Sequence, residues 1–285
     1  MIRIVLLGRT GNNLFQYALG RVLAEKHGVP LVMDGSWFNA QGWSEVSHFL
    51  KLPLQAQVLR RCSLGARALL KLTDKHYWEY RGVPVLLESS DDQAFDPGFL
   101  EAPADCMIFG YFQSPRYFQS MAVPLRNELN ALIGGGLRIS ECLRGKLADA
   151  NSVAVHVRRT DYLNIPIFQV CDSHYYQAAM ARMREHLPDA RFYIFSDDPA
   201  WCRAEYCAAD QEVIDQGRMA GNPLYDLHLM SLASHHIIAN STYSWWAAWL
   251  GAKPAQQVLM PERWYAHGIK APIEEKQCDG WQIVR

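Results

Sequence analysis

The sequence predicts an α/β protein built on parallel sheets, and two observations carry that prediction. Short apolar runs rich in β-branched residues alternate with stretches of helical periodicity, and the chain opens with one such run followed at once by a glycine-marked turn and a helix. A helix between successive strands is what parallel pairing needs, because the chain must return to the same edge of the sheet before the next strand starts. At about 150 residues per domain, 285 residues accommodate two domains.

The first strand is read over residues 2–7, Ile-Arg-Ile-Val-Leu-Leu, and Gly8-Arg9-Thr10-Gly11-Asn12-Asn13 follows as a tight loop. Leu14, Phe15, Ala18, Leu19, Val22 and Leu23 then recur at helical spacing, and Gly28-Val29-Pro30 closes that helix before the next strand, Leu31-Val32-Met33 running to Asp34. Residues 35–105 are less regular, with a helix predicted over 59–72. A helix over 125–133 ends at Gly134-Gly135-Gly136, and a second amphipathic stretch leads through Leu147 to Asn151, where we place the domain boundary, giving domains 1–150 and 151–285. The second domain reads as strands 153–157, 192–195, 212–214 and 237–239, with a fifth at 258–260. Helices around 174–187, 199–207, 224–235 and 244–251 separate them, the pattern of a doubly wound sheet. Ligands of such sheets sit beyond the carboxyl ends of the strands, so the residues just after each strand carry the functional question.

Composition excludes several classes. The chain is 49% hydrophobic and 20% charged, with nine Trp and thirteen Tyr, enough apolar material for a compact core. Lys plus Arg number 28 and Asp plus Glu 29, so a net charge of −1 supplies no global attraction to nucleic acid, and any anion must be bound locally. Seven Cys, an odd number without a C-x-x-C pair, argue for reduced thiols over a disulfide framework or zinc ribbon. The short apolar opening before Gly8 and Arg9 is no signal-peptide core or spanning helix, so the expected location is cytoplasmic, at most peripheral at the inner membrane.

Four segments carry polar chemistry. After the strand 153–157 comes His156-Val157-Arg158-Arg159-Thr160-Asp161-Tyr162, where two adjacent arginines offer a fork for a diphosphate, or equally an interdomain salt-bridge cluster with Asp161. After 192–195 comes Ser196-Asp197-Asp198-Pro199. An Asp pair there suits a hard cation, but one of the two is better read as the cap of a helix with Pro199 in its first turn, and the arginines already neutralise phosphate without a metal. Asn240-Ser241-Thr242-Tyr243-Ser244-Trp245-Trp246 opens a helix whose amides and hydroxyls suit a phosphate, or simply an ordinary cap above packed tryptophans. The loop 8–13 lacks G-x-G-x-x-G spacing, which disfavours a dinucleotide-binding oxidoreductase, while its paired amides beside two glycines suit either a close ligand approach or a turn.

Together the opening Gly8 to Ala18, the His156–Tyr162 motif, 195–198 and 240–246 resemble, in order and across almost the whole chain, the α-1,2-fucosyltransferases, and more distantly the α-1,6- and protein O-fucosyltransferases. Asn13 departs from the resemblance, since the family usually has Gln there. The resemblance implies a GT-B-type fold, two Rossmann-like domains facing a cleft, with the donor nucleotide in the C-terminal domain, no metal and no cofactor beyond the donor itself. It implies GDP-fucose as donor and a galactose-ending oligosaccharide or lipid-linked glycan as acceptor. Residue by residue, Arg158 resembles the arginine on the donor β-phosphate and His156 a nearby donor-site residue. Asp226 resembles a guanine-binding carboxylate, Ser241 or Thr242 the phosphate-side hydroxyl, and Arg9 and Asn12 residues of the N-terminal loop on the sugar and diphosphate.

On that resemblance, charge develops on the leaving β-phosphate as the acceptor hydroxyl attacks from the opposite face. Arg158, with Arg159 and the amides at 241–244, would stabilise it, each well-placed donor contributing about 2.7–4 kcal/mol. Asp161 and His156 are the candidates for the base. Two rivals stay open: a non-catalytic GDP-sugar-binding subunit, and transfer to a peptide or to another sugar.

Overall fold

The structure, a computed structural model, describes residues 1–35, 46–59, 82–89, 92–216 and 221–285. The chain divides into two compact units, Met1–Leu125 and Arg126–Arg285. The division falls inside helix Ala122–Gly134, some way before the expected boundary at 150. The reason lies in packing that sequence periodicity does not report. Arg126 Nε donates to Trp249 O at 2.9 Å and Asn130 Nδ2 to Leu250 O at 3.0 Å, so from Arg126 onward this helix belongs to the second unit, as does helix Glu141–Ala148, whose Leu147 carbonyl accepts from Ser152 Oγ at 2.7 Å.

The first unit holds strands β1 (Ile2–Val5), β2 (Leu31–Asp34), β3 (Gln57–Leu59), β4 (Val85–Leu87) and β5 (Cys106–Phe109), all parallel, in the order β3-β2-β1-β5-β4. Central β1 is buried on both sides, as its β-branched run requires. Helix Thr10–His27 follows it and ends at Gly28, whose φ of 62° is the left-handed conformation glycine tolerates best. The loop read over 8–13 is shorter than expected. Gly8, at φ 72°, makes the turn, and the first helical bond runs from Asn13 N to Arg9 O at 3.0 Å, so residues 10–13 are already the first helical turn. The helix predicted over 59–72 lies outside the described residues except for Leu59, which ends β3.

The second unit is a six-stranded parallel sheet: β6 (Ser152–Val157), β7 (Arg191–Ser196), β8 (Gln211–Ile214), β9 (His235–Ile237), β10 (Val258–Pro261) and β11 (Gln282–Val284). Each of the five predicted strands has a counterpart, the one expected at 237–239 lying two residues earlier as His235–Ile237, and β11 joins them at the edge. The order is β11-β10-β9-β6-β7-β8. The chain thus builds outward from β6 through β8, then returns to β6's other side and builds outward again. Helices Ser173–His186 and Pro199–Glu205 serve the first half, Pro223–Leu232 and Thr242–Leu250 the second. Right-handed crossovers in opposite directions place the two sets on opposite faces and leave a crevice at the carboxyl ends of β6 and β9.

Both faces are filled. Val153, Val155 and Val157 pack with Tyr176, Ala179, Met180 and Met183 of helix Ser173–His186. In a separate cluster, Trp245 has its ring centroid 5.2 Å from Trp246 and 5.5 Å from Trp281, and Trp246 lies 5.1 Å from Trp249. The tryptophans after Ser244 are core residues, as the packed-tryptophan reading had it.

Candidate functional site

The end of β6 sets the site. Alternation along an extended strand turns Val153, Val155 and Val157 to one face, so Ala154 and His156 face the other. His156 is buried, its ring centroid 5.5 Å from that of Tyr243 in the first turn of helix Thr242–Leu250. Burial, reinforced by the neighbouring Arg158 charge, lowers its pKa from the usual 6.5 to about 4, so the imidazole is neutral at pH 7. Its Nδ1 is buried and meets no hydrogen-bond partner among the described residues.

Arg158 and Arg159 stand where the strand stops. Arg158 Nη2 lies 2.8 Å from Asp161 Oδ1 and Nη1 3.4 Å from Asp197 Oδ2. Burial works against this guanidinium, but the two carboxylates outweigh it and the pKa rises, so the cation is held in place and charged. Arg159 places its guanidinium carbon 3.5 Å from the centre of the Trp201 ring and its Nε 3.4 Å from Asp198 Oδ2. The salt-bridge reading of the Arg158 motif is therefore realised, within one unit, and it holds two ordered guanidinium groups at the sheet's carboxyl edge.

Asp197 and Asp198 divide their work. Asp198 Oδ1 accepts from Trp201 N at 3.1 Å and caps helix Pro199–Glu205. Asp197 accepts from Arg159 N at 2.9 Å, from Thr160 N at 3.1 Å and from the Thr160 hydroxyl. It organises the arginine turn, a role that spacing along the chain does not announce. Among the described residues no cluster of three or more His, Cys, Asp or Glu is placed to hold a metal ion.

The end of β9 supplies the other wall. Ser241 is the N-cap residue of helix Thr242–Leu250 and makes no side-chain cap bond to it, so the helix start, with Thr242 as its first residue, is unlike the ordinary serine cap. Tyr162 Oη donates to Asn240 O at 3.2 Å, joining the β6 and β9 turns directly. The Tyr243 hydroxyl donates to Pro223 O and ties this helix to the start of helix Pro223–Leu232. That helix is capped by Asn222, whose Oδ1 accepts from Leu224 N at 3.0 Å, so Asp226 does not begin or cap it and instead lies within its first turn, half-buried. His156, Arg158, Arg159 and Asp161 thus stand at the carboxyl end of β6, with Ser241 and Thr242 at that of the neighbouring β9, while Asp226 lies in the first turn of the helix that Tyr243 joins.

Arg9 and Asn12 belong to the first unit. Arg9 is exposed at the N-cap position of helix Thr10–His27. Asn12 Oδ1 accepts from Gln113 Nε2 at 3.0 Å. Asn13 is fully buried and structural: Nδ2 donates to Leu7 O at 3.0 Å and to Gln16 Oε1 at 3.1 Å, while Gln16 Nε2 reaches Gly110 O at 2.7 Å. The short amide thus joins Gln16 in one hydrogen-bonded chain from Leu7 to Gly110. Tyr162, Asn240 and Tyr243 tie the ends of β6 and β9 together, a role that spacing along the chain does not reveal.

With this geometry in hand, the family model described as glycosyl transferase family 11 matches residues 96–285, more than half of the chain and all of the second sheet. The chain belongs to glycosyl transferase family 11. This family 11 protein is 34% identical over 163 residues to an alpha-1,2-colitosyltransferase of Escherichia coli, a match covering 55% of the chain and 56% of that relative's length. It is 25% identical over 299 residues to the O-antigen biosynthesis glycosyltransferase WbnK of Escherichia coli, covering 97% of the chain and 98% of the relative. A stretch of 103 residues, 34% of the chain and 28% of the relative, is 35% identical to the galactoside 2-alpha-L-fucosyltransferase Sec1 of Mus musculus. Among solved structures, the chain is similar to an alpha-1,6-fucosyltransferase, NodZ, co-crystallised with GDP, at 14% identity and a TM-score of 0.49 over 86% of the chain and 91% of NodZ. At that level the likeness adds nothing to the topology already described.

Proposed function

We propose that this family 11 glycosyltransferase moves L-fucose from GDP-β-L-fucose to the 2-hydroxyl of a terminal galactose, with inversion at the anomeric carbon. The observation that carries the reading is Arg158, charged and held by Asp161 and Asp197 at the crevice between β6 and β9, beside the start of helix Thr242–Leu250. A guanidinium and a helix N-terminus converging at a switch point suit a diphosphate. The relatives named for α-1,2-transfer and O-antigen synthesis support the linkage and a galactose-ending, lipid-linked or free glycan as acceptor. Among the described residues no helix is long and apolar enough to cross a membrane, which is compatible with a cytoplasmic enzyme at most peripheral to the inner membrane.

In this mechanism the acceptor oxygen bonds to C1 as the bond from C1 to the β-phosphate oxygen breaks, the electron pair leaves with GDP, and the hydroxyl proton passes to the departing diphosphate or to solvent. Arg158 meets the charge that develops on the β-phosphate. Arg159, with Ser241 and Thr242 at the helix start, holds the rest of the diphosphate. Asp161 serves by aiming Arg158, which replaces the base role weighed for it, because its carboxylate already pairs with that guanidinium. His156, buried and neutral, contributes shape and polarity to the donor site, and the loose transition state asks little of a base.

A second reading has colitose as the transferred sugar in place of fucose, favoured by the 34% identical relative of that name. Incubating the protein with lactose and either GDP-fucose or GDP-colitose, followed by linkage analysis of the product by NMR, decides between them. Arg158→Lys tests the site itself. A point charge cannot reproduce two-pronged contact to phosphate, so kcat/KM should fall by about tenfold or more, with thermal melts confirming a folded protein. Arg158→Ala should fall further and also melt earlier, since it leaves Asp161 and Asp197 without their shared partner. Near-normal turnover by the Lys variant would remove Arg158 from the role.

A further inference from the structure

The first sheet has a reversal of strand order of its own. In the order β3-β2-β1-β5-β4 the chain builds outward from β1 to β3, then reaches β1's other side through β4 and β5. The carboxyl ends of β1 and β5 are therefore a second place where a parallel sheet opens a crevice. Residues 8–12 follow β1 there and residues 110–113 follow β5, while Glu88 stands one residue past the end of β4.

Glu88 holds the turn after β5. Its carboxylate accepts from two consecutive amides, Tyr111 N and, at 3.0 Å, Phe112 N. Phe112 has a φ of 53°, in the left-handed region that disfavours a bulky side chain. Its ring is buried, 4.9 Å from that of Phe99 and 5.6 Å from that of Tyr117, so packing requires a side chain where the backbone would favour glycine. Such strain persists only where the surroundings over-determine it, and it collects at functional sites. Gln16 Nε2 pins the start of the same turn through Gly110 O, at 2.7 Å.

The turn delivers Gln113. This buried side chain donates from Nε2 to Asn12 Oδ1 at 3.0 Å, joining residues 101 positions apart. A Cβ at Gly8 would collide with Asn12 Nδ2, so the half-buried Asn12 folds its amide over the turn after β1 with its oxygen toward Gln113. Apolar packing would join two strand ends without desolvating amides, so a relay of buried polar groups acts here for orientation.

We propose that Glu88 is a positioning residue for glycosyl transfer: through the 110–113 turn and Gln113 it fixes the Asn12 amide against a sugar hydroxyl of the substrate. An amide both donates and accepts, as a hydroxyl does, and suits that partner better than a phosphate. The inference rests on the transferase reading above and adds to it two residues, Glu88 and Gln113, that act without touching substrate.

A mutant cycle tests it. Glu88→Gln keeps the side chain's size but opposes an N–H of its own to the turn, Gln113→Ala cuts the relay, and Asn12→Ala removes its end. Transfer from GDP-fucose to lactose is measured for these three and for the Glu88→Gln, Gln113→Ala double variant, with KM for each substrate, calorimetry of GDP and thermal melts. Each single variant should lower kcat/KM by about tenfold or more, and the double should fall no further than the worse single, because both changes cut one relay. GDP affinity should stay within about twofold throughout, since GDP carries no transferred or accepting sugar. A KM rise confined to GDP-fucose assigns the hydroxyl to the transferred sugar, and one confined to lactose assigns it to the accepting sugar. If wild-type protein neither binds GDP nor transfers, the transferase reading itself fails. If the wild type is active and Asn12→Ala transfers normally, the sugar contact is overturned while that reading stands, and weakened GDP binding by Asn12→Ala would overturn it in favour of the diphosphate. A Glu88→Gln protein that melts early but keeps its kcat/KM would overturn the positioning role, as would losses that multiply in the double variant. Should Glu88→Gln not fold, Glu88→Asp, which keeps the charge but is one methylene short of the two amides, takes its place in the cycle.

Discussion

Asp226 illustrates what one side chain's position decides. Its place early in helix Pro223–Leu232 is compatible with a cap, with macrodipole complementarity or with a ligand role, and the structure removes the first by giving the cap to Asn222. A carboxylate there, beside the turn anchored by the Tyr243 hydroxyl, suits the N1–H and N2 amino edge of guanine. We therefore expect Asp226→Ala to raise KM for GDP-fucose and weaken GDP by roughly tenfold or more, with a smaller change in kcat, because base contacts bind ground and transition states alike. Asp226→Asn should weaken GDP comparably, since it presents a donor where guanine also donates. Asn222→Ala is the matched control: it should lower the melting temperature, at a cost of about 0.5–2 kcal/mol, and leave GDP affinity nearly unchanged. Calorimetry and melts on the three variants check this, and an Asp226→Ala protein that binds GDP normally would end the guanine assignment.

At the scale of an element, β9 makes stability depend on pH through a buried imidazole. His236 is 1% exposed, its Nε2 donating to Met230 O at 2.9 Å and its Nδ1 accepting from Gln256 Nε2 at 3.1 Å, an arrangement that only the neutral ring can make. Burial lowers its pKa to about 3, as it lowers that of His156 to about 4. The unfolded chain, with ordinary imidazoles near 6.5, takes up protons first, so stability is whole above pH 6.5 and is lost as pH falls from there toward the folded-state values. Each such group contributes a slope of up to about 1.4 kcal/mol per pH unit in that window. Melting temperatures measured at pH 7.5, 6.5, 5.5 and 5.0 should therefore fall below 6.5, and the fall should be shallower in His236→Gln. Parallel curves for the two proteins would contradict this account of β9.

For the whole molecule, the reversal of strand order in the second sheet decides which charged groups stand together. The crevice at β6 and β9 brings Arg158 and Arg159 to the start of helix Thr242–Leu250, while Asp197 and Asp198 are committed to the turn and the cap that hold those arginines. A cation bound by the Asp pair would have to displace those bonds and would dismantle the arginine turn. Transfer should accordingly survive EDTA with most of its rate. An assay with and without chelator, followed by readdition of Mg²⁺ or Mn²⁺, checks this, and a complete loss restored by one cation would move the charge-stabilising role to a metal.

Much of the architecture was legible in the chain because its causes are local. The period of two in Val153, Val155 and Val157, the helical period after Leu14 and the Gly28 stop each depend on neighbours a few residues away. The placement of Arg158 after a strand was equally local, and so was the cap on helix Pro199–Glu205. Strand order is not local. Tyr162 and Asn240 lie 78 residues apart and hydrogen-bond because β9 returns to the free side of β6. The same long-range packing assigned helix Ala122–Gly134 to the second unit, gave the sheet its edge strand β11, spent Asp197 on the arginine turn and used both hydrogens of Asn240. The sequence by itself determined which elements form and which charged groups stand at their ends. Only the tertiary structure decided which ends meet, since that depends on burying faces against partners far along the chain, and no local periodicity encodes the choice.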